Sequence, residues 1–357
     1  MLKILHIAPQ NYAGVPYDFY RMHLSVGDHS RIITLHKNVR DFPEDICLNL
    51  PLPNFSLAKK WRKTKVDDVE NKIKKDIYFK PKNFIEKIYF KINDKLKEKT
   101  INNAIEEYHL NDFDIIHFDT GLGFYRNANQ AKKWKKEGKK IVCCYYGSDL
   151  RIRGILRELD EISDLNITSE YDHLGMKDDL QYLFYPFDIG ELPKTKVNQN
   201  EIVKIVHSPT NRKYKGTDLI ISVIEKIKKE KKIEFLLIEN MKREELLKIK
   251  SNCDICIDQV GGTMGGTGYG KAGLETLGMG IPTITNMDKD YENWIPENPF
   301  TVANNADELY QKLNELIDNK DLRIGLGENG KAWVEKYHAY ENVDNKLKEL
   351  YRQKKII

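Results

Sequence analysis

The stretch from Val260 to Thr285 reads VGGTMGGTGYGKAGLETLGMGIPTIT, and six of the ten residues from Gly261 to Gly270 are glycine. An apolar strand precedes this loop, and the pattern after it predicts a helix over Tyr269–Gly280. Glycines allow close backbone approach, and the free amides and dipole at a helix N-terminus favour an anion. The sequence therefore predicts a diphosphate site, with a flexible surface loop as the open alternative. It is not a P-loop, because no GK[ST] ends it.

Short apolar runs alternate with helical patterns on both sides of this loop, which is typical of parallel sheets covered on both faces. In the first half the predicted strands are Lys3–Ala8, Arg31–Leu35, Asp114–Phe118, Lys140–Tyr146, Leu165–Thr168 and Tyr182–Phe187. In the second half they are Ile202–Val206, Glu234–Ile238, Ile255–Val260 and Pro282–Thr285, with helices over Gly216–Glu230, Arg243–Ser251 and Ala306–Asp318. The pattern predicts an α/β protein of two Rossmann-like domains facing across a cleft, with ligands outside the carboxyl ends of the strands.

The segment from Pro186 to Glu201, PFDIGELPKTKVNQNE, combines prolines, a glycine and polar residues, and it reads as a linker. We expect four parts, of which the first carries a lysine-rich helical insertion at about 55–110. They are an N-terminal domain over 1–188, a linker over 189–201, a C-terminal domain over 202–335, and a final helix over 336–357 that packs back toward the N-terminal domain.

The composition excludes several classes of protein. With 357 residues and 40% hydrophobic content the chain can bury ordinary cores, and 58 basic against 54 acidic residues is not the excess of a nucleic-acid binder. No apolar run is long enough for a membrane span, and the N-terminus lacks the pattern of a signal peptide. Five dispersed cysteines do not form a disulfide framework. We therefore expect a cytoplasmic protein.

Metal and cofactor motifs are absent from the sequence. Cys253 and Cys256 have C-x-x-C spacing, but no second ligand pair follows, so a structural role is favoured. The nine histidines show no HExxH pattern. We expect no protein-bound metal and no cofactor.

The run GYGKAGLETLGMGIPTI resembles the donor-site signature of family 4 glycosyltransferases of the GT-B fold. The residues in register are Gly268, Tyr269, Gly270, Glu275, Gly280 and Pro282. The resemblance implies that Glu275 accepts hydrogen bonds from a nucleotide ribose, and that the loop through Gly266 meets the diphosphate and sugar. The family has a second glutamate eight positions earlier, where this chain has Thr267. A threonine can bond a sugar hydroxyl but brings no charge.

A second match, HSPTNRKYKGTD, resembles the start of the C-terminal domain in the same family. The resemblance implies that Lys215, and less securely Arg212, hold the leaving diphosphate. The two residues are closer in sequence than the family's pair usually is. Basic residues at a helix N-terminus oppose the helix dipole, and a bound anion would resolve that conflict. The alternative is a solvated helix start with ordinary charges.

Three loops of the first half resemble family motifs near the acceptor or the donor phosphates. Gly14 lies in the loop after the first strand, in QNYAGVPYDFY. The runs DIIHFDTGLGF and CCYYGSDLR resemble H-F-H-x-G and F-H-G-S-D-x-R, with Asp119 and Tyr146 at the places of the usual histidines. His117 is expected to face the opposite side of its strand. Asp149 and Arg151 match, and for Asp149 a polar role toward the acceptor and a helix cap are both open. The two runs are both expected at strand ends, and Gly14 is expected in the loop after the first strand.

The resemblance implies a metal-independent hexosyltransferase that moves a sugar from a nucleoside diphosphate to an acceptor hydroxyl with retention, in cell-surface glycan synthesis. Residues 1–188 would bind the acceptor and residues 202–335 the donor. Two alternatives remain open: an inactive subunit that binds a partner enzyme, and a sugar-nucleotide epimerase. The residues expected to act in catalysis are Asp119, Asp149, Lys215 and Arg212. Those expected to bind the donor are Gly14, Arg212, Lys215, Gly266, Thr267, Gly268, Tyr269, Gly270 and Glu275.

Between Leu50 and Thr100 the chain has 15 Lys/Arg and 7 Asp/Glu. Within this segment Phe84, Ile88 and Ile92 have helical spacing and form an apolar stripe beside lysines. One interpretation is a helix that covers the first sheet. The other is a contact with anionic lipid at the inner face of the cell membrane, which attracts each nearby Lys or Arg and fits a lipid-linked acceptor.

Overall fold

The chain forms two compact units. The computed structural model describes residues 1–38, 42–52, 60, 63, 76–195, 201–261 and 268–357. Unit 1 contains Met1–Pro186 and Tyr340–Ile357, and unit 2 contains Phe187–Ala339. The last helix therefore belongs to unit 1 by its contacts.

Unit 1 is built on a parallel sheet of seven strands in the order β3-β2-β1-β4-β5-β6-β7. Its strands are nearly continuous apolar runs, as expected where helices cover both faces. The order reverses between β1 and β4, and this is the point where ligands bind in such sheets. The strands are β1 Lys3–Ala8, β2 His29–Thr34, β3 Ile46–Cys47, β4 Ile115–Asp119, β5 Lys140–Tyr145, β6 Leu165–Thr168 and β7 Leu180–Tyr182.

The helices of unit 1 pack on that sheet through apolar faces. Phe19 and Met22 of the first helix are fully buried, as is Trp134 of a later one. The helices are α1 Val15–Ser25, α2 Phe84–Glu107, α3 Asn129–Lys136 and α4 Arg157–Asp160, followed at the end of the chain by α12 Tyr340–Gln353.

Unit 2 has a parallel sheet of five strands in the order β12-β11-β10-β8-β9. This is the second common doubly wound order, and it reverses between β8 and β10. The strands are β8 Val203–His207, β9 Ile233–Leu237, β10 Ile255–Gln259, β11 Thr283–Thr285 and β12 Thr301–Val302. The helices are α5 Arg212–Lys215, α6 Thr217–Lys228, α7 Arg243–Lys250, α8 Lys271–Gly278, α9 Lys289–Trp294, α10 Ala306–Asp318 and α11 Lys320–His338.

Most predicted elements are present within one or two residues of their expected bounds. The exception is the strand predicted over Tyr182–Phe187, which instead spans Leu180–Tyr182. The apolar run signals burial rather than pairing: Leu183, Tyr185 and Phe187 are buried outside any ladder. The two-residue strands β3 and β12 were not predicted, because they are too short to show a period.

The apolar stripe of α2 does not pack on the sheet. Phe84 is 73% exposed and Leu96 is 76% exposed, and Ile88 and Ile92 between them are exposed as well. The helix is instead anchored by its last turns, where Ile101, Ala104 and Ile105 are buried. The interpretation of this stripe as a sheet-covering surface is therefore wrong. Within the described part of the chain, no helix has the length and apolar character needed to cross a membrane.

Candidate functional site

The candidate site of unit 2 lies at the carboxyl ends of β8 and β10, where the strand order reverses. β8 ends at His207 and β10 ends at Asp258 and Gln259. The His207 ring is 2.8 Å from the carbonyl oxygen of Ile257 and 2.9 Å from the hydroxyl of Thr217, so both ring nitrogens are bonded. Burial lowers the pKa of His207 to about 4, which keeps the ring neutral at physiological pH.

Lys215, at the end of α5, brings its ammonium to the end of β10. Its Nζ donates to Asp258 Oδ1 at 2.7 Å and to Gln259 Oε1 at 3.0 Å. Burial disfavours the charge of Asp258, but Lys215 outweighs this effect, together with a hydrogen bond from the amide of Gly270, and lowers the pKa of the carboxyl. An ammonium has three donors, so one hydrogen of Lys215 is left for a ligand.

Glu275 lies on α8 and is nearly fully buried. Arg243 Nε donates to its Oε1 at 2.7 Å, and Lys250 Nζ lies 3.7 Å from its Oε2. Both cations come from α7. An ionised carboxylate offers about four acceptor positions, so Glu275 keeps the capacity to bond ribose hydroxyls beside these cations.

Two glycines precede α8, and a close contact requires the first of them. A Cβ at Gly268 would lie 2.1 Å from the Tyr291 ring, whereas one at Gly270 would lie 3.2 Å from the flexible end of Lys215, its Nζ. Gly270 and Lys215 are therefore neighbours, and the anion site predicted for them stays a prediction. The Tyr269 ring instead stacks on Phe300 with centroids 4.6 Å apart, so a contact with the donor would fall to its backbone.

Arg212 lies on the outside of unit 2. Its side chain is about half exposed, and its guanidinium pairs with Glu239, with Nη2 2.6 Å from Oε2. Gly266 and Thr267 lie outside the described residues, so their predicted contacts with the donor stay predictions.

In unit 1, Asp119 is the last residue of β4, which pairs with β1, and its side chain is fully buried. Its Oδ2 lies 3.1 Å from His6 Nδ1, and its Oδ1 accepts a hydrogen bond from the Tyr146 hydroxyl. Burial, and next the charge of Asp119, raise the pKa of Tyr146 well above its usual value. The Tyr146 phenol therefore stays protonated at physiological pH and donates its proton to Asp119. Asp119 would act on a ligand through these neighbouring side chains.

His117 faces the same side of the sheet as Asp119, and the expectation that it faces the opposite side is wrong. Residues two apart on a strand share a face. The His117 ring centroid is 4.6 Å from that of His6, and its Nε2 is bonded to the Tyr351 hydroxyl. Burial lowers the pKa of His117 well below its usual value.

A third buried histidine, His23, extends this cluster. Its ring is 5.3 Å from that of His6 and 3.7 Å from Asp344 Oδ1, which is too far for a hydrogen bond. Burial lowers its pKa to about 4. His23, Asp28 and Asp344 could together surround a cation, but Lys348 is 2.8 Å from both carboxylates and supplies the positive charge.

Asp149 and Arg151 stabilise the loop after β5. The Asp149 carboxylate accepts hydrogen bonds from the backbone amides of Tyr146, Gly147 and Leu150 at 2.8–2.9 Å. The Arg151 guanidinium pairs with Asp172 and Glu170. Asp149 thus holds the backbone that presents Tyr146.

Gly14 adopts a left-handed conformation with φ of 77° at the start of α1. It closes the loop that follows β1, which is one of the two strands at the reversal point of the sheet. Its backbone therefore lies at the predicted place, at the carboxyl end of β1. Its proposed contact with the donor stays a prediction.

Sequence reasoning missed the partners of the expected site residues. Lys215 is held by Asp258 and Gln259. Glu275 is held by Arg243 and Lys250, and Asp119 by His6. Asp258 and Gln259 had a visible signal, since they are polar residues that end an apolar strand just before the glycine loop. Arg243 and Lys250 had none, because they are two of many charged residues on ordinary amphipathic helices.

Comparison with known proteins identifies the fold. No family model matches the chain, and no curated protein matches it. Solved structures match over nearly the whole length. A glycosyltransferase from Rickettsia africae covers 99% of this chain and 98% of its own at 14% identity, with a TM-score of 0.58. Anabaena HepE in complex with UDP and glucose covers 99% of this chain and 100% of its own at 10% identity, with a TM-score of 0.58. TarM covers 98% of this chain and 99% of its own at 11% identity, with a TM-score of 0.59. A further match is a mutant of S. aureus TarM.

These matches and the two parallel sheets with flanking helices establish the GT-B fold. The predicted fold class and the resemblance in fold are therefore confirmed. At these identities the likeness concerns the fold, and the activity has to be argued from the site itself.

Proposed function

We propose that the protein is a glycosyltransferase that moves a sugar from a nucleoside diphosphate to an acceptor hydroxyl. The observation that carries the proposal is the charge arrangement at the reversal point of the second sheet. There Lys215, Arg243 and Lys250 share two buried carboxylates, Asp258 and Glu275. The surplus of positive charge suits an anionic ligand, and the full-length structural neighbours include a protein bound to UDP and glucose.

In this proposal Lys215 and the amides at the start of α8 bind the diphosphate, and Glu275 accepts hydrogen bonds from the ribose. Lys215 already touches Asp258, which fixes the direction of its ammonium before the donor arrives. Preorganised charge of this kind stabilises the negative charge that grows on a leaving group. Arg212 contributes only if it leaves Glu239.

The transfer breaks the bond between the anomeric carbon and the diphosphate and forms a bond from that carbon to the acceptor oxygen. We propose retention, with the acceptor proton passing to the leaving phosphate on the same face. The strand-end cluster of unit 1 would bind the acceptor. The Tyr146 hydroxyl, whose one proton goes to Asp119, would accept a hydrogen bond there from an acceptor hydroxyl, and Asp119 and Asp149 position it. We expect transfer to persist in EDTA, because the proposal assigns charge stabilisation to side chains.

A donor panel tests this function. UDP, GDP and their sugars are screened by thermal shift, since a ligand of the native state raises its stability, and the binder is then offered with acceptors and followed for release of nucleotide. Consumption of the donor supports the proposal. Binding without any turnover would favour an inactive subunit, in line with Thr267 at the place of the family's first glutamate. Thr267→Glu would then be the variant to examine for recovered turnover.

We further propose that the acceptor is lipid-linked, in cell-surface glycan synthesis, and that α2 contacts the inner membrane surface. Its exposed stripe of Phe84, Ile88, Ile92 and Leu96 runs beside the exposed Lys91. A basic helix with an exposed apolar stripe binds anionic bilayers by both effects.

Vesicle sedimentation tests the membrane contact. The double variant Ile88→Ser/Ile92→Ser should lose binding to phosphatidylglycerol vesicles while keeping all lysines, and reversal of Lys87, Lys91, Lys95 and Lys99 to Glu should abolish it. Lys97 is left in place, because it pairs with Asp94 at 2.9 Å. The control Leu24→Ser/Ile324→Ser removes exposed apolar groups elsewhere. Equal recovery in the supernatant with anionic and neutral vesicles would reject the contact.

A further inference from the structure

A cavity of about 810 Å³ opens in unit 1 between α2, the start of α3 and the segment before α4. It lies within unit 1 and is lined by none of the residues assigned to the donor or the acceptor. The cations on its wall outnumber the acids. They are Lys87, Lys91 and Lys95 on α2, Lys133 on α3, and Arg126 between these helices, against Asp94, Glu98 and Glu158.

Arg126 is the most unusual of these cations. Its guanidinium lies over the ring of Phe90, with Cζ 4.0 Å from the ring centroid, and 4.8 Å from that of Phe79. Among the described residues its Nη1 is buried and has no hydrogen-bond partner. Buried guanidinium groups are ordinarily paired with a carboxylate, but among the described residues this one is held in place by aromatic rings and no carboxylate hydrogen-bonds to its buried Nη1.

Asp94 attracts Arg126 more strongly than any other carboxylate does, but its own bonds go elsewhere. Asp94 accepts the backbone amide of Arg126 at 3.1 Å and pairs with Lys97 at 2.9 Å. Burial, and next the charge of Arg153, lower the pKa of Arg126 to about 10, against the attraction of Asp94 and Glu86. The guanidinium therefore stays charged at physiological pH, and an anion in the cavity would stabilise that charge.

A neutral donor also lines the cavity. It is Gln130, whose Nε2 is buried without a partner among the described residues. The guanidinium, this amide and the lysines of the wall together offer donors that an anion could accept from. Phosphate oxygens suit this set, because they accept several bonds at once and an Arg fork binds them bidentately.

We propose that this cavity binds a phosphate ester, with Arg126 and Gln130 at its base and Lys91, Lys95 and Lys133 at its rim. The volume exceeds that of a phosphate ion, so the ester carries a further group such as a glycerol or a sugar. The phosphate belongs either to a free ester or to the headgroup of a phospholipid. The inference does not depend on the donor site of unit 2.

The test uses the full chain and two probes, glycerol 3-phosphate by calorimetric titration and phosphatidylglycerol vesicles by sedimentation. The variant Lys91→Gln/Lys133→Gln should weaken binding of the effective probe by about tenfold or more, the scale of losing charge-assisted bonds. Its matched control, Lys136→Gln/Lys354→Gln, removes two exposed lysines of unit 1 outside the cavity and should leave binding within about twofold. Arg126→Met should abolish binding, and the rim variants decide the matter if Arg126→Met does not fold.

The outcomes separate the two sources. Binding of glycerol 3-phosphate that the rim variant weakens, with no vesicle binding, assigns a free ester. Vesicle binding that glycerol 3-phosphate competes away, and that the rim variant weakens more than the control, assigns a lipid headgroup. The proposal is overturned if neither probe binds, or if rim and control variants weaken binding equally.

Discussion

The two units bury carboxylates at equivalent places in their sheets but surround them differently. In unit 2 Asp258 and Glu275 lie among three cations. In unit 1 Asp119 lies between a histidine and a tyrosine. Because both sites follow the strands at which the sheet order reverses, the fold fixes their location and the side chains fix their chemistry.

The difference indicates which ligand each site suits. The surplus of cations in unit 2 favours an anion such as a diphosphate. In unit 1 the Tyr146 hydroxyl and the His6 ring already face Asp119, so a second anion would lie beside a buried carboxylate, and the site suits a hydroxyl-bearing ligand. That contrast supports the proposed assignment of the donor to unit 2 and of the acceptor to unit 1.

The largest effect is expected from removing the carboxylates. Asp258→Ala leaves the ammonium of Lys215 largely buried and unpaired, and should lower the free energy of unfolding by about 3–5 kcal/mol. Asp119→Ala removes the hydrogen-bond partner of the Tyr146 hydroxyl and of the His6 ring, and should cost about 1–3 kcal/mol. Amide hydrogen exchange at increasing urea, resolved by mass spectrometry of peptides, measures the free energy of unfolding of each unit separately. Equal losses in the two variants would contradict the comparison.

Acid should destabilise unit 1 through its buried histidines. The pKa of His23 is about 4 in the folded state against about 6.5 when unfolded. The unfolded chain therefore binds more protons between these values, and stability is complete above pH 6.5 and falls as pH drops toward 4. Lowering the pH from 6.5 to 5 should cost about 2 kcal/mol for this residue.

The replacement His23→Leu should remove that part of the pH dependence in calorimetric melting temperatures. The control Met22→Leu alters a buried neighbour on the same helix without changing a titratable group, and should leave the pH dependence of wild type unchanged. If His23→Leu melts with the same pH dependence as wild type, His23 is not held neutral by burial.

The smallest effect compares the strand-to-helix loops of the two units. Gly14→Ala forces a left-handed conformation with φ of 77° on a residue with a Cβ, and should cost about 1–2 kcal/mol. Gly270 has φ of −103° and would meet only the flexible end of Lys215, so Gly270→Ala should cost less than about 1 kcal/mol in stability. Urea midpoints of the two variants rank the costs, and the reverse ranking would contradict these assignments.

The sequence predicted the fold well because buried strands produce short apolar runs that are visible in the local sequence. β1 and β6 were predicted to the residue, and the alternation of strands and helices led to two α/β domains. The site was predicted in part. Lys215 and Gly270 were expected together and are neighbours, since a glycine-rich loop and a helix start are local signals.

What the sequence did not show are contacts made across the fold. Glu275 meets Arg243 over a separation of 32 residues, and His6 meets Asp119 over 113. No local pattern marks such partners. The stripe of α2 misled for a related reason: helical spacing predicts an apolar face but does not say whether anything covers it.

Calorimetric titration of the nucleoside diphosphate that the donor screen selects, into wild type, Glu275→Gln and Asp119→Asn, tests the central claim most directly. Glu275→Gln keeps the shape and an acceptor for Arg243 but removes the charge, so it should weaken nucleotide binding by about 1–3 kcal/mol, that is, roughly fivefold or more. Asp119→Asn, in the other unit, should leave nucleotide affinity unchanged. Unchanged affinity in a folded Glu275→Gln protein, or a loss confined to Asp119→Asn, would contradict the assignment of the donor to unit 2.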